Sequence, residues 1–214
     1  MMTSPIFWAA ACAVMTAGLL AAEARESATL RWVFKPAASA CFIALAISAG
    51  AMDSRFGNAI LLGLVFCAAG DVLLIPAQRA AFLAGMAAFA LGHIAYAGAF
   101  VAGGVKIGLA AMAALAVMAV FSASVLGRLR AKLGDFRLPV AGYTAIISLM
   151  VVASFAHLQS APTMQALCLS FAAVGFSLSD VFVAEDRFAT PSFANRLWGL
   201  PLYYAAQCLF AANV

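Results

Sequence analysis

Charge is what this 214-residue chain lacks: Asp, Glu, Lys and Arg together make up 9% of it, where a soluble globular domain carries about 25%. With 66% hydrophobic residues and a mean hydropathy of +1.06, that scarcity excludes a soluble domain. Histidine is scarce too. His93 and His157 are the only two, 64 positions apart, and no HExxH occurs, so a three-histidine zinc centre cannot be assembled. The cysteines, Cys12, Cys41, Cys67, Cys168 and Cys208, form no CxxC pair and lie inside apolar runs, as small packing residues do. No G-x-S-x-G elbow and no Walker or Rossmann glycine pattern is present, which disfavours a serine lipase and a nucleotide-binding enzyme. No metal and no cofactor is expected.

What is there is a succession of apolar runs of about 20 residues, each long enough to cross a hydrocarbon core of about 30 Å. They predict an all-α, polytopic membrane protein, one transmembrane helical domain over 1–214 with eight spans. The expected spans are 5–22, 32–50, 56–75, 80–101, 105–127, 139–158, 163–184 and 196–213. Ala22-Glu23-Ala24 resembles a signal cleavage site. No Lys or Arg precedes Ile6, however, and the apolar run is long for a signal, so the first run is kept as a membrane helix.

The net charge of +4 does not point to nucleic acid, because the basic residues sit in the short connections. Counted by side, Arg25, Arg31, Lys35, Arg79, Arg128, Arg130, Lys132, Arg137, Arg187 and Arg196 fall on one face and only Arg55 and Lys106 on the other. The positive-inside rule makes the first face cytoplasmic and both termini non-cytoplasmic, in a membrane expected to be a bacterial inner membrane.

That orientation gives each polar residue a depth. Lys35, Asp71, Tyr143 and Asp180 fall near one level on four helices, about one turn inside the cytoplasmic end, while His93, Tyr96, Tyr203, Tyr204 and Gln207 fall deeper. Together they outline a pocket opening near the cytoplasmic leaflet. Asp71 and Asp180 could each merely bond a neighbouring helix, for about 0.6 kcal/mol. Two carboxylates at one depth, each near a basic or hydroxyl group on another helix, point instead to a reaction or ion pathway. His93 and Tyr96 share a helix face at i, i+3, where the alternative is a satisfied core histidine; beside two carboxylates a relay or supporting role is preferred. Tyr203 or Tyr204 shares a face with Gln207, too deep for an interfacial aromatic belt, and is expected to line the pocket. Gly85 and Gly92 read as packing positions and His157 as incidental.

A faint repeat relates Ala69-Gly70-Asp71-Val72-Leu73-Leu74 to Leu178-Ser179-Asp180-Val181-Phe182-Val183, with an Arg and a Tyr following each. It is open between two parallel four-helix halves and the chance likeness of alanine-rich helices.

The series Lys35-Pro36, Gly70-Asp71, Gly92-His93-Ile94-Ala95-Tyr96, Tyr143, Ser179-Asp180 with Phe188, and Tyr203-Tyr204-Ala205-Ala206-Gln207 resembles the YhhN-like lysoplasmalogenase family of integral membrane proteins. The resemblance covers spans 2 to 8. It implies eight helices and a hydrolase that cleaves the vinyl ether bond of lysoplasmalogens to a fatty aldehyde and a glycerophospho-alcohol. Asp71 and Asp180 would be the catalytic pair, with Lys35, His93, Tyr96, Tyr143, Tyr203, Tyr204 and Gln207 around them. The expected partners are a lyso-phospholipid substrate and the membrane lipids. The first assignment takes Asp71 as acid and Asp180 as base, with the reverse open. Lys35, Arg79 or Arg187 would hold the phosphate, and the chain would lie along Phe66, Phe89 and Leu73 after sideways entry. The alternative is a proton-coupled small-molecule or lipid transporter using the same aspartates.

Overall fold

The computed structural model describes residues 4–214, which among themselves form helices and connections and no strand. The helices are α1 (Pro5–Ala24), α2 (Ala28–Ser48), α3 (Arg55–Leu73), α4 (Arg79–Ala102), α5 (Leu109–Leu129), α6 (Arg137–Ser160), α7 (Met164–Ala184) and α8 (Phe193–Ala212). Apolar runs of this length become helices because only a helix satisfies its own backbone in hydrocarbon. Seven are long and apolar enough to cross a membrane; α8 carries more polarity, including Arg196, Tyr203, Tyr204 and Gln207. The chain is an integral membrane helical bundle.

Two helix starts depart from the sequence expectation. α2 begins at Ala28 because the Ser27 hydroxyl accepts from the Leu30 N–H, so Arg31 also stands on the helix and Lys35 lies about two turns in. α5 begins at Leu109, since the backbone turns at Gly104 (φ 94°) and the Lys106 N–H donates to the Ala156 carbonyl at 2.9 Å. Gln159 of α6 then reaches across to cap α5, its Oε1 accepting from the N–H groups of Ala110 (3.2 Å) and Ala111 (3.4 Å).

Helices α1, α2, α3, α4, α6, α7 and α8 each pack on the next, and α8 closes back on α1, α2 and α3. Packing of the first four helices recurs in the second four: α1 on α2, α2 on α3 and α3 on α4 correspond to α5 on α6, α6 on α7 and α7 on α8. The cross-pairs α2 with α8 and α6 with α4 correspond as well. Two correspondences are broken, the weaker being α3 on α8, which has no comparable counterpart between α7 and α4. α1 packs on α8, whereas α5 leans on α6 and makes no comparable packing with α4.

α3 and α4 meet along a small-residue seam. A Cβ at Gly63 would lie 2.3 Å from the Tyr96 ring, one at Gly70 2.7 Å from the Phe89 ring, and one at Gly92 2.6 Å from Cys67 Sγ. Glycines seven apart on each helix face the partner, as the sequence expectation for Gly85 and Gly92 had it, and the two rings fill the space left by the missing side chains. Gly63→Ala should therefore destabilise the protein in detergent by about 1–3 kcal/mol through overpacking. Gly98→Ala, which meets nothing within 4 Å, should leave the thermal midpoint unchanged or raise it. Equal midpoints for both variants would contradict the seam.

Candidate functional site

One cavity of about 480 Å³ opens at the basic face, a size within the range of small-molecule sites. Lys35, Asp71, Tyr143, Asp180 and Tyr203 all line it, drawn from α2, α3, α6, α7 and α8. The two aspartates sit in separate polar clusters within this space.

Asp71 is 2% exposed and surrounded by donors. Its Oδ2 accepts from Ser39 Oγ and from Tyr203 Oη, each at 2.7 Å, and Lys35 Nζ stands 3.6 Å from Oδ1. Three helices thus meet at one carboxylate, through two hydrogen bonds and an ion pair. Lys35 shares the face of α2 that Ser39 presents to it, and Tyr204 Oη donates to the Lys35 carbonyl at 3.4 Å.

Asp180 is more open, with 18% of its side chain exposed to the cavity. Tyr143 Oη is 3.0 Å from its Oδ2 and 3.1 Å from His93 Nε2, and His93 Nε2 is itself 3.6 Å from Oδ2. The other ring nitrogen of His93, Nδ1, faces Met150 Sδ at 3.3 Å, a weak acceptor suited to an N–H. His93 Nε2, the Tyr143 hydroxyl and the Asp180 carboxylate form a row in which the tyrosine donates to Asp180. The ring is fully buried at the inner end of that row, so His93 exchanges protons with the cavity through Tyr143 and Asp180.

Aromatic contacts link the clusters. The Phe176 ring lies 4.4 Å from that of His93 and 5.2 Å from that of Tyr203, and Phe89 meets both Phe176 (6.0 Å) and Tyr203 (5.8 Å) edge-on. They form an apolar wall between the two carboxylate environments.

The remaining expected site residues sit elsewhere. His93 is behind the cavity, touching it through Tyr143 and Asp180. Tyr96 and Gln207 form a third, deeper pair, Tyr96 Oη donating to Gln207 Oε1 at 2.8 Å while its ring stacks on Phe210. Neither lines the cavity, and Gln207 Nε2 has no hydrogen-bond partner among the described residues. Tyr204 is likewise behind the wall. Phe89 lines the space but Phe66 and Leu73 do not. The hydroxyls of Ser177 and Ser179 donate to the helix carbonyls of Val174 and Phe176. His157 stacks between Phe56 and Phe100 and bonds the Gly104 carbonyl, well away from the site.

Two neighbours were missed in the sequence. Ser39 follows Lys35 by four residues and Met150 follows Tyr143 by seven, so each shares a helix face with a residue already singled out. That periodicity was the available signal.

At the mouth, Glu23 pairs with Arg31 (3.3 Å) and Arg196 (3.0 Å), and Arg196 pairs with Asp186 (3.2 Å), tying α1, α2, α8 and the π-helical turn Glu185–Ala189 together. Arg187 differs from these cations. It lies over the Phe82 ring at 4.6 Å and donates to the Ala77 carbonyl at 3.4 Å, and it forms no ion pair among the described residues. Arg79 is outside the cavity, paired with Asp135 in an exposed bridge.

The sequence matches the YhhN family over residues 30–214. The chain belongs to the YhhN family. Among curated relatives, it is 35% identical over 160 residues to the protein named lysoplasmalogenase TMEM86A of Bos taurus, covering 72% of this chain and 64% of that one. It is 38% identical over 155 residues to lysoplasmalogenase TMEM86B of Homo sapiens, covering 72% and 62%. The match therefore spans a little under two thirds of the length of these relatives. No solved structure matches the chain. In this YhhN-family chain the matched region contains both aspartates and every residue that contacts them.

Removing one partner from a buried ion pair costs about 3 kcal/mol or more, because the other charge is left uncompensated. Lys35→Met should lower stability in detergent by about that amount, and Lys35→Met combined with Asp71→Leu should recover most of it. Additive losses in a denaturation-based double-mutant cycle would show that the two groups do not depend on each other.

Proposed function

We propose that this protein hydrolyses the vinyl ether bond of lysoplasmalogens, releasing a fatty aldehyde and a glycerophospho-alcohol. The observation that carries the proposal is that two carboxylates from different helices, Asp71 and Asp180, face one cavity at the basic face of the bundle. The names of the relatives favour hydrolysis over transport. The basic face is taken as cytoplasmic by its excess of Lys and Arg, with both termini on the far side of a bacterial inner membrane.

The reaction needs an acid, a stabilised cation and an activated water. Protonation of the enol-ether carbon remote from oxygen gives an oxocarbenium ion. Water adds at the carbon bearing oxygen and loses a proton, forming a hemiacetal, which collapses as the hydroxyl proton leaves and the departing alkoxide is protonated. The geometry supports reversing the roles first assigned to the pair. Asp71, ringed by Lys35, Ser39 and Tyr203, suits the fixed anion that steadies the cation. Asp180, open to the cavity and joined through Tyr143 to His93, suits the group that gives a proton to carbon and recovers one from water. Tyr143 and His93 act through Asp180, and Tyr203 through Asp71. Tyr96 and Gln207 tie α4 to α8, and Tyr204 ties α8 to α2, behind the wall. Of the three cations first considered for the phosphate, Lys35 is committed to Asp71 and Arg79 to Asp135. Arg187 is the one facing the cavity that forms no ion pair among the described residues, and it is assigned the phosphate.

Purified protein given a lysoplasmalogen should release aldehyde, and Asp180→Asn and Asp71→Asn should each lower kcat by about 10²- to 10⁴-fold while remaining folded. A metal chelator should leave the rate unchanged. Undiminished turnover in both variants would reject the carboxylate mechanism, and proton-gradient-driven uptake into proteoliposomes without product would favour transport.

A further inference from the structure

Away from its carboxylates the cavity changes character. Met86 and Phe89 of α4, Phe121 and Val125 of α5, and Ile147 of α6 form an apolar arm. Phe121 and Val125 are four apart on α5 and half-buried, so one face of that helix looks into the arm while its other faces meet lipid. The helices bounding the arm are also a place where the bundle's repeated packing fails. α4 and α5 both pack on α6, but they do not close on one another. Nearer the basic face the gap is sealed by Leu129, Leu133 and Val140, against which Met86, Val125, Phe136 and Phe188 pack. The opening between α4 and α5 therefore lies within the hydrocarbon depth rather than at the aqueous surface.

The cavity thus has a charged mouth carrying Arg187, a carboxylate pair, and an apolar arm bounded by α5. Its polarity runs in the order of a molecule with one headgroup and one chain. Exposed apolar side chains are ordinary on a membrane helix, but a half-buried pair aimed at the same space as Asp71 and Asp180 is not explained by lipid contact alone.

We propose that the arm between α4, α5 and α6 takes the hydrocarbon chain of a single-chain phospholipid entering sideways between α4 and α5, with Phe121 and Val125 setting the chains it accepts. The proposal deepens the hydrolase reading and rests on it for the headgroup end of the site. It also moves the chain from the α3 residues Phe66 and Leu73, which face away from the cavity, to the opposite wall.

The test uses the full chain in lipid nanodiscs and a saturated 1-O-alkyl glycerophosphoethanolamine, which has no vinyl ether bond and so binds without turnover. A hexadecyl form with a diazirine at the chain end should label α4, α5 and α6 around Phe121 and Val125, and unlabelled ligand should compete. Val125→Trp should weaken binding of the hexadecyl compound at least tenfold and of the octyl compound less than twofold. Val117→Trp, on the exposed face of α5, should change neither. Labelling spread evenly over the outer helices, or a Val125→Trp effect independent of chain length, would overturn the chain site. Chain-selective binding in a protein that never cleaves a vinyl ether would uphold the chain site and overturn the hydrolase reading instead.

Discussion

A charged carboxylate in hydrocarbon has to be met by donors, and the contact of Lys35 with Asp71 is where this bundle meets that demand. The ammonium comes from α2, the carboxylate from α3, and the second layer of donors from Ser39 and from Tyr203 of α8. Helices in lipid gain little from apolar contact with one another, because lipid tails are as apolar as leucine. A multiply bonded anion at the junction of three helices therefore fixes their register in a way that Ala and Leu faces cannot. The glycine seam between α3 and α4 serves the same end by steric means, and its inserted Phe89 ring bears directly on Tyr203.

The second carboxylate repeats the plan with different chemistry. Asp71 is held by α2 of its own half and α8 of the other; Asp180 is held by α6 of its own half and α4 of the other. Where the first cluster has a lysine, the second has a tyrosine. Where the first has the hydroxyl of Tyr203, the second has the imidazole of His93. Exchanging a fixed cation for groups that pass protons turns an anion-holding cluster into a proton-handling one, in the same kind of frame. Several packing pairs recur at an offset of four helices.

Much of this was legible in the sequence. Apolar run length gave the eight helices, and loop charge suggested a shared depth for Lys35, Asp71, Tyr143 and Asp180, all of which line the cavity. Helix periodicity contained Ser39 and Met150 as well, since each lies on the face of a residue already chosen. Other features depended on contacts that depth cannot encode. Tyr96, Tyr204 and Gln207 are polar and deep, yet Tyr96 and Gln207 bond each other between α4 and α8 and Tyr204 turns toward α2, none of them lining the cavity. Which aspartate is ringed by donors follows from rotation of α8 about its axis, which Tyr203 and Tyr204, adjacent in sequence, leave undecided. The early start of α2 came from a single serine cap, and the late start of α5 from a glycine turn and a glutamine on another helix. These are local bonds with no hydropathy signature.

α5 stands apart in this construction, since it rests on α6 and has lipid over most of its remaining surface. A helix fixed along one side takes its tilt from two neighbours, the protein and the bilayer, and tilt is how a span answers a change in hydrocarbon thickness. The width of the apolar arm is consequently a mechanical property shared with the membrane. Thickness and lateral pressure act on the far side of the wall that Phe121 and Val125 present to the cavity, so the bilayer is part of the wall as well as the surroundings of the protein.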